Sequence, residues 1–546
     1  MDIKLMLSKI LKKTTGEDVS NILEIPADPS RGDISLPCFF LSKKLKKSPV
    51  DIASEFVEKI KLPAMFSKVE NEGPYLNFFL NKNLYSNKLI EEIFSLKGEY
   101  GGNSIGKSKN VVVEYSSPNI AKSFGIGHLR STLVGNAIAN IHKFNGYNVI
   151  RINYLGDWGT PFGKILFGYE KFGSKKSLKE DPVKHLFDLY VKMNKNEDYD
   201  EESKEYFKRL ESGDKSLVKQ WKLFRELSIK EFKEIYSLLG VKFDVYSGEA
   251  EYNSKLGGVI KELTKKKLLV EDDGANVVKL GDLGVALIQK SDGSSLYMTR
   301  DIATAIDRYK KYKFDKMIYE VGSEQKLHFR QLFEVLNLMG NKWSKDCVHI
   351  AHGMYLDEDG KKFSTRKGKT VFMKDVLNET VKLAEKSIKG RNVSKNAAME
   401  IAKAAIIYGD LKNHPGRDAI FNIDKFLEFS GDTGPYLLYT YARANSIVSD
   451  FKVRKFSDVV LEENEFKLIK MMGEFPSIVK NSMENINPSV VSHYSYELCQ
   501  SFNEFYHSCK VVGSPSEAFR INLVKSFMIV LENSLSLLGI NVVKRM

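Results

Sequence analysis

Residues 111–156 read VVVEYSSPNIAKSFGIGHLRSTLVGNAIANIHKFNGYNVIRINYLG, and this stretch decides the fold. Its opening VVVEY is a continuous β-branched run, the composition of a strand buried on both faces of a parallel sheet. The loop SSPNIAKSFGIGH follows. From about Leu129 to Phe144, the spacing of Leu129, Leu133, Ala137, Ile141 and Phe144 predicts one apolar helix face, with Gly146 as the stop. NVIRINYLG then resumes as a strand, which completes one βαβ unit.

Outward toward the C-terminus, residues from about 170 to 290 are strongly charged and read as a largely helical insertion, typified by KNEDYDEESKEYFKRLESGDKSLVKQWKLF. Strand and helix patterns return in LGVALIQK, MTRDIATAIDRYKKY, KMIYEVG and VHIAHGMYL. The expected fold class is therefore α/β: a Rossmann-like parallel-sheet core over residues 106–424, interrupted by that insertion. Residues 1–100 read as a small α+β domain with a strand at Tyr75 to Leu80, closed by the turn-rich KGEYGGNSIGKSKN. Amphipathic helix dominates from about residue 376, and residues 425–546 are expected to form an all-α bundle.

A chain of 546 residues is too long for a single small binding module, and 42% hydrophobic with 28% charged residues is a globular composition. The 83 Lys and Arg against 70 Asp and Glu leave a net charge of +13, which favours polyanionic partners. Cys38, Cys347, Cys499 and Cys509 are scattered without a CxxC pair, so neither a zinc site nor a disulfide framework is expected. Free buried thiols in a reducing compartment, the cytoplasm, are the reading. Lysines interrupt the apolar spacing of the N-terminus, and no run of 18 uncharged apolar residues occurs, which argues against secretion or membrane spanning.

Gly101 to Ser108, GGNSIGKS, matches the phosphate-binding pattern GxxxxGK[ST] letter by letter. That loop works only between a strand and a helix, whereas here helix-like LIEEIFSLKGEY precedes and the strand follows. The match is a decoy. Gly125-Ile126-Gly127-His128 does stand between strand and helix, but Arg130 occupies the third glycine of a dinucleotide fingerprint. It offers two glycines for close approach, a helix dipole and an imidazole, which suit nucleotide phosphates; a tight turn with a surface histidine fits equally well. Lys361 to Lys369, KKFSTRKGK, places five cations in nine residues after the turn at Asp359-Gly360. A triphosphate or plain solvent satisfies such a loop.

Taken with VIRINYLGDWGTPFGK (149–164), LYMTRDIATAIDRY (296–309), GPYLLYTYARA (434–444) and the ending LSLLGINVVKRM, these motifs make the chain resemble a class I aminoacyl-tRNA synthetase, specifically an arginyl-tRNA synthetase. The resemblance implies that L-arginine reacts with ATP, accompanied by Mg2+, to give arginyl-adenylate, which is transferred to the terminal adenosine of tRNA-Arg. It also implies a cytoplasmic monomer without a membrane or a resident metal, an N-terminal domain at the tRNA elbow, and a C-terminal anticodon-binding domain.

Carried over by position, Pro118 to His128 is the ATP signature. Lys122, His128, Lys362, Arg366 and Lys367 are the implied catalytic cations, and Gly125, Gly127, His128, His352, Gly353, Met354, Lys362 and Ser364 the implied ATP contacts. Arginine is expected to meet Glu114, Ser117, Asn119, His128, Tyr297, Asp301 and Gln325. A guanidinium, always charged and planar, calls for a carboxylate such as Asp301, and Tyr297 lies one helical turn before it. Tyr439, Tyr441 and Arg443 are candidate tRNA contacts. Two positions depart from the family pattern: Gly125 replaces the first histidine of HxGH, and Thr365 replaces the second lysine of KMSKS, for which Lys122 is the implied substitute. A noncatalytic RNA-binding relative and another nucleotidyl-transferring enzyme on the same core stay open as alternatives.

Overall fold

The computed structural model describes residues 3–290, 297–361, 372–391, 393–394, 396–456 and 458–546. In the N-terminal region, side-chain caps set the helix starts. The order is α1 (Ile3–Thr15), β1 (Ile34–Pro37), α2 (Phe39–Leu45), α3 (Pro49–Lys59), β2 (Phe66–Glu72), β3 (Tyr75–Leu80) and α4 (Lys82–Leu96). Ser48 Oγ accepts the Asp51 N–H ahead of α3, and Asn81 caps α4 through the Leu84 N–H. The sheet is antiparallel in the order β1-β3-β2, and the alternation in YLNFFL leaves Leu76 and Phe78 fully buried on its inner face.

The α/β core begins with β4 (Asn110–Glu114), α5 (Ile126–Phe144) and β5 (Asn148–Leu155), as the quoted stretch predicts. Val111, Val112 and Val113 are fully buried, which is why the strand carries no polar alternation. Helices α6 (Thr160–Phe172), α7 (Lys175–Glu180), α8 (Pro182–Asn194), α9 (Asp200–Glu211) and α10 (Lys215–Leu239) follow. The expected insertion is not purely helical. Within its span, β6 (Val245–Gly248) returns to the main sheet beside β5, and after α11 (Leu256–Lys265) the strands β7 (Val270–Asp272), β8 (Ala275–Lys279) and β9 (Val285–Gln289) form a small antiparallel sheet. Charge-rich composition masked β6, β7 and β8, whereas β9 falls in the LGVALIQK segment where strand pattern was expected to return.

Next come α12 (Tyr297–Tyr312), β10 (Lys316–Gly322), α13 (Lys326–Leu338), β11 (Cys347–His352) and β12 (Tyr355–Leu356). The main sheet is parallel, in the order β11-β10-β4-β5-β6. Chain order reverses between β4 and β10, so the crevice beyond their C-terminal ends is a topological switch point. The GGNSIGKS turn lies between α4 and β4, with Gly106 against the Tyr147 ring, and no helix follows it.

The remainder is helical: α14 (Met373–Ser387), α15 (Ala397–Leu411), a short β13 (Ala419–Ile420) paired with β12, then α16 (Ile423–Phe426), α17 (Gly434–Val448), α18 (Glu463–Glu484), α19 (Ser489–Ser508) and α20 (Glu517–Leu538). One compact unit joins residues 1–101 to 443–477 and 497–533, and the other holds 102–442, 478–496 and 534–546. Inside the first, Tyr100 donates to the Met472 carbonyl and stacks on Phe475, Lys470 pairs with Asp33 at 3.1 Å, and Asn533 donates to the carbonyls of Lys97 and Tyr100. Among the described helices, α20 is long and apolar enough to cross a membrane by length and composition, yet 72% of that window is buried in the protein. All four cysteines are buried.

Candidate active site

Beyond the ends of β4 and β10 lies a cavity of about 520 Å³. Six of the seven residues expected to meet arginine line it: Glu114 from the end of β4, Ser117 and Asn119 from the loop after it, Tyr297 and Asp301 from α12, and Gln325 just before α13. His128 does not line this cavity. Asn119 sits tightly against Gly156, where a Cβ would overlap its Oδ1, and the two segments are laced by Ile120 N–H to the Gly156 carbonyl and Gly156 N–H to the Pro118 carbonyl. Ser117 Oγ is buried and finds no hydrogen-bond partner among the described residues, an arrangement that a polar ligand in the cavity relieves.

The sequence reading missed Glu249, Glu324, Arg308 and His328, which also line the cavity. Arg308 is 2% exposed; it forms an ion pair with Glu114 and lies over the rings of Tyr154 and Tyr319 at 5.1 and 5.9 Å. Burial pushes the Glu114 carboxyl above its ordinary range, and the Arg308 guanidinium opposes that push. Glu114 is thus already committed to an internal cation. Asp301 Oδ2 meets His328 Nε2 at 2.6 Å, and Glu249 Oε2 stands 3.9 Å from Arg300. Burial, only partly offset by Arg300, raises the Glu249 carboxyl to about 7. Four acidic side chains around one cavity, with the Arg308 guanidinium among them, make a site for a further positive charge.

The signature loop leads into α5, whose N-cap is Gly125. A Cβ at Gly127 would meet nothing within 4 Å, so no protein contact demands glycine there; the open face is room for a ligand at a helix N-terminus. His128 is held down to about 4 by burial and by the Lys122 ammonium, so its imidazole is neutral at pH 7. Lys122 itself rests over the Tyr190 ring at 4.9 Å, supported by the insertion. His352, at the end of β11, contacts Glu320 at 2.9 Å; burial works against its cation, but that carboxylate prevails and raises its pKa above the usual value. The Gly353 N–H is taken by the Pro415 carbonyl and the Met354 N–H by Asp418 Oδ1, so these two of the expected ATP contacts have their amides engaged. Gly353 is glycine for packing, since a Cβ would strike the Arg417 carbonyl.

Lys362, Ser364, Arg366 and Lys367 lie outside the described residues. On α17, Tyr441 is 3% exposed and faces the core, which removes it as a stacking surface for a base; Tyr439 is half-buried, and Arg443 donates to Asn503 Oδ1 at 2.8 Å.

With this geometry in hand, comparison with known proteins is specific. A family model described as tRNA synthetases class I (R), catalytic domain, matches residues 89–423. The DALR anticodon binding domain matches residues 437–546, and the arginyl tRNA synthetase N terminal domain matches residues 1–80. The arginine–tRNA ligases of Halothermothrix orenii and Clostridium perfringens are each 42% identical, the first over 99% of this chain and 98% of its own, the second over 100% of both. Among solved structures, Thermus thermophilus arginyl-tRNA synthetase shares the fold with a TM-score of 0.84 at 23% identity over 100% of both chains. The Plasmodium falciparum enzyme gives 0.81 at 25% identity over 100% of this chain and 98% of its own. The chain therefore belongs to the arginine–tRNA ligase family of class I aminoacyl-tRNA synthetases.

Proposed function

We propose that the protein activates L-arginine with ATP to arginyl-adenylate and transfers the arginyl group to the terminal adenosine of tRNA-Arg, with the cavity beyond β4 and β10 as its arginine site. The observation that carries this reading is the acidic cavity at the switch point, where Asp301 and Glu249 bracket the place of a guanidinium. Ser117, Asn119 and Gln325 then serve the amino and carboxyl end, while Tyr297, 63% exposed, closes the mouth. Glu114 acts through Arg308 more than by direct contact.

ATP lies along the N-terminus of α5, over Gly125 and Gly127, with neutral His128, His352 and Lys122 toward its phosphates. Gly353 and Met354 border the nucleotide base, and the Lys362–Lys367 loop supplies Lys362, Ser364, Arg366 and Lys367. Mg2+ arrives as part of the ATP substrate, bound chiefly by phosphate oxygens. The carboxylate of arginine attacks the α-phosphorus and displaces pyrophosphate, so the protein's share is positioning and charge stabilisation. A ribose hydroxyl of the tRNA then attacks the activated carbonyl and releases AMP.

For the tRNA, the +13 net charge supplies attraction, and α2 presents exposed Phe39 and Phe40 among Lys43, Lys44, Lys46 and Lys47 as the elbow-facing surface. Residues 437–546 serve the anticodon, with Tyr439 and Arg443 as contacts. The family expectation of a cytoplasmic monomer that works without a membrane belongs to the same reading.

The test is ATP–pyrophosphate exchange with arginine, with and without tRNA, followed by aminoacylation of tRNA-Arg. Exchange and charged tRNA are expected. Failure of both with active ATP and intact tRNA favours a noncatalytic RNA-binding relative, and exchange without any RNA charging favours a different nucleotidyl transfer.

A further inference from the structure

The loop between β4 and α5 carries backbone that side-chain-bearing residues disfavour. Ser116, Ser117 and Ala121 have φ of +72°, +43° and +55°. Such a conformation persists only where its surroundings over-determine it. Here the surroundings come largely from α10, the long helix of the insertion. The Tyr236 hydroxyl lies 2.7 Å from Ser116 Oγ and accepts from Asn153 Nδ2 at 2.9 Å. Two turns earlier, Ser228 Oγ accepts the Ala121 N–H at 2.9 Å. Ser116, Ser228 and Tyr236 are all buried, so water cannot replace these bonds.

Ser116 is also where the arginine side and the ATP side meet. Its N–H donates to Ser131 Oγ at 2.9 Å, and Ser131 in turn donates to the Glu320 carboxylate that holds His352. Its Oγ lies 2.8 Å from Thr132 Oγ1, which caps back onto the His128 carbonyl at 2.7 Å. The opposite side of α10 faces a cavity of about 870 Å³ lined by Leu223, Leu227, Lys230 and Glu231 instead of close-packed side chains. The buried face of the helix packs through Phe224, Phe232 and Ile235, and polar bonds add to that seating, from Arg225 Nε to Asp157 Oδ2 and from Trp221 Nε1 to the Asp157 carbonyl, both at 2.8 Å.

We propose that Tyr236 and Ser228 are positioning residues for arginine activation: reaching in from the insertion, they hold Ser116 and the Ala121 N–H, and so keep Ser117 and Asn119 turned into the arginine cavity. Neither side chain lines that cavity, so each acts through the loop and not on the substrate. The inference rests on reading the cavity as the arginine site.

The experiment compares full-length wild type with Tyr236→Phe, Ser228→Ala, Ser116→Ala and the Ser116→Ala/Tyr236→Phe double variant. It reads KM and kcat in arginine-dependent ATP–pyrophosphate exchange with tRNA present, beside the thermal midpoint. Tyr236→Phe and Ser228→Ala are each expected to raise KM for arginine about tenfold while KM for ATP moves less than about threefold. Thermal midpoints should stay near wild type, and the double variant should lose less than the sum of the two singles, because both deletions remove the shared Ser116–Tyr236 bond. Unchanged KM for arginine, additive losses in the double variant, or activity that falls only in step with the thermal midpoint overturns the positioning role. Absence of arginine-dependent exchange in the wild type overturns the functional reading itself, a result the variants cannot mimic.

Discussion

At the scale of single residues, the site is a problem in arranging like charges. Glu249, Asp301, Glu324 and Glu114 surround one cavity, with Arg308 paired to Glu114 and His328 in contact with Asp301. Burial, partly offset by Arg300 and reinforced by Asp301, raises the Glu249 carboxyl from its ordinary 4.5 to about 7. The sign follows directly. An acid whose folded pKa is raised holds extra protons in the folded state, so the unliganded protein loses stability as pH rises from 4.5 toward about 7. A permanently charged guanidinium prefers ionised Glu249, so arginine affinity should instead tighten over the upper part of that range and level off above it. Between about pH 6 and about pH 8 the gain in affinity should be about tenfold, and Glu249→Gln should flatten the profile. Calorimetric titration of arginine at the two pH values measures this; a profile unchanged by the substitution removes Glu249 from the guanidinium contact.

At the scale of elements, α5 does two jobs. Its N-terminal end carries Gly125 as N-cap and Gly127, while Arg130, 1% exposed, reaches from the same end to Asp410 on α15 at 3.1 Å. The guanidinium also donates to the carbonyls of Pro415 and Arg417, in the turn that receives the Gly353 amide at the Pro415 carbonyl and the Met354 amide at Asp418 Oδ1. One buried cation thus ties α5 to the segment that carries Gly353 and Met354. Arg130→Met keeps comparable bulk but strands Asp410 without its partner, and should cost ~3–5 kcal/mol. Thermal and denaturant unfolding of that variant and of Arg130→Met/Asp410→Asn check this, the double variant recovering part of the loss. A single variant as stable as wild type means that the pair contributes nothing net.

At the scale of the whole molecule, the first hundred residues share a compact unit with 443–477 and 497–533 through Tyr100, Phe475, Lys470 and Asn533. The reading of residues 1–100 as a small α+β domain does not include these contacts, because they join positions as far as 372 and 436 apart in the chain. A basic chain of net charge +13 that follows tRNA over an extended path should release many counterions on binding. The affinity for tRNA-Arg should fall steeply, by orders of magnitude, between about 0.05 and 0.2 M salt. A nearly flat response in filter binding or fluorescence titration would restrict the contact to a few phosphates.

What the sequence determined by itself is whatever is local in the chain. The β-branched run Val111–Val113, the α5 periodicity and the GIGH turn are each written in consecutive residues, and so is the stripe Tyr297, Asp301, Thr304 and Arg308, all four of which line the cavity. The last member was nonetheless passed over, because a lysine- and arginine-rich helix end reads as solvated until a partner is known. The tertiary structure alone decided that Arg308 is spent on Glu114, that Glu249 from within the insertion's span stands in the pocket, and that Tyr441 faces inward. The physical reason is that periodicity reports which face of an element is apolar, whereas the partner of a buried charge depends on which strands lie side by side. That order, β11-β10-β4-β5-β6, is set by long-range packing and leaves no trace in neighbouring residues.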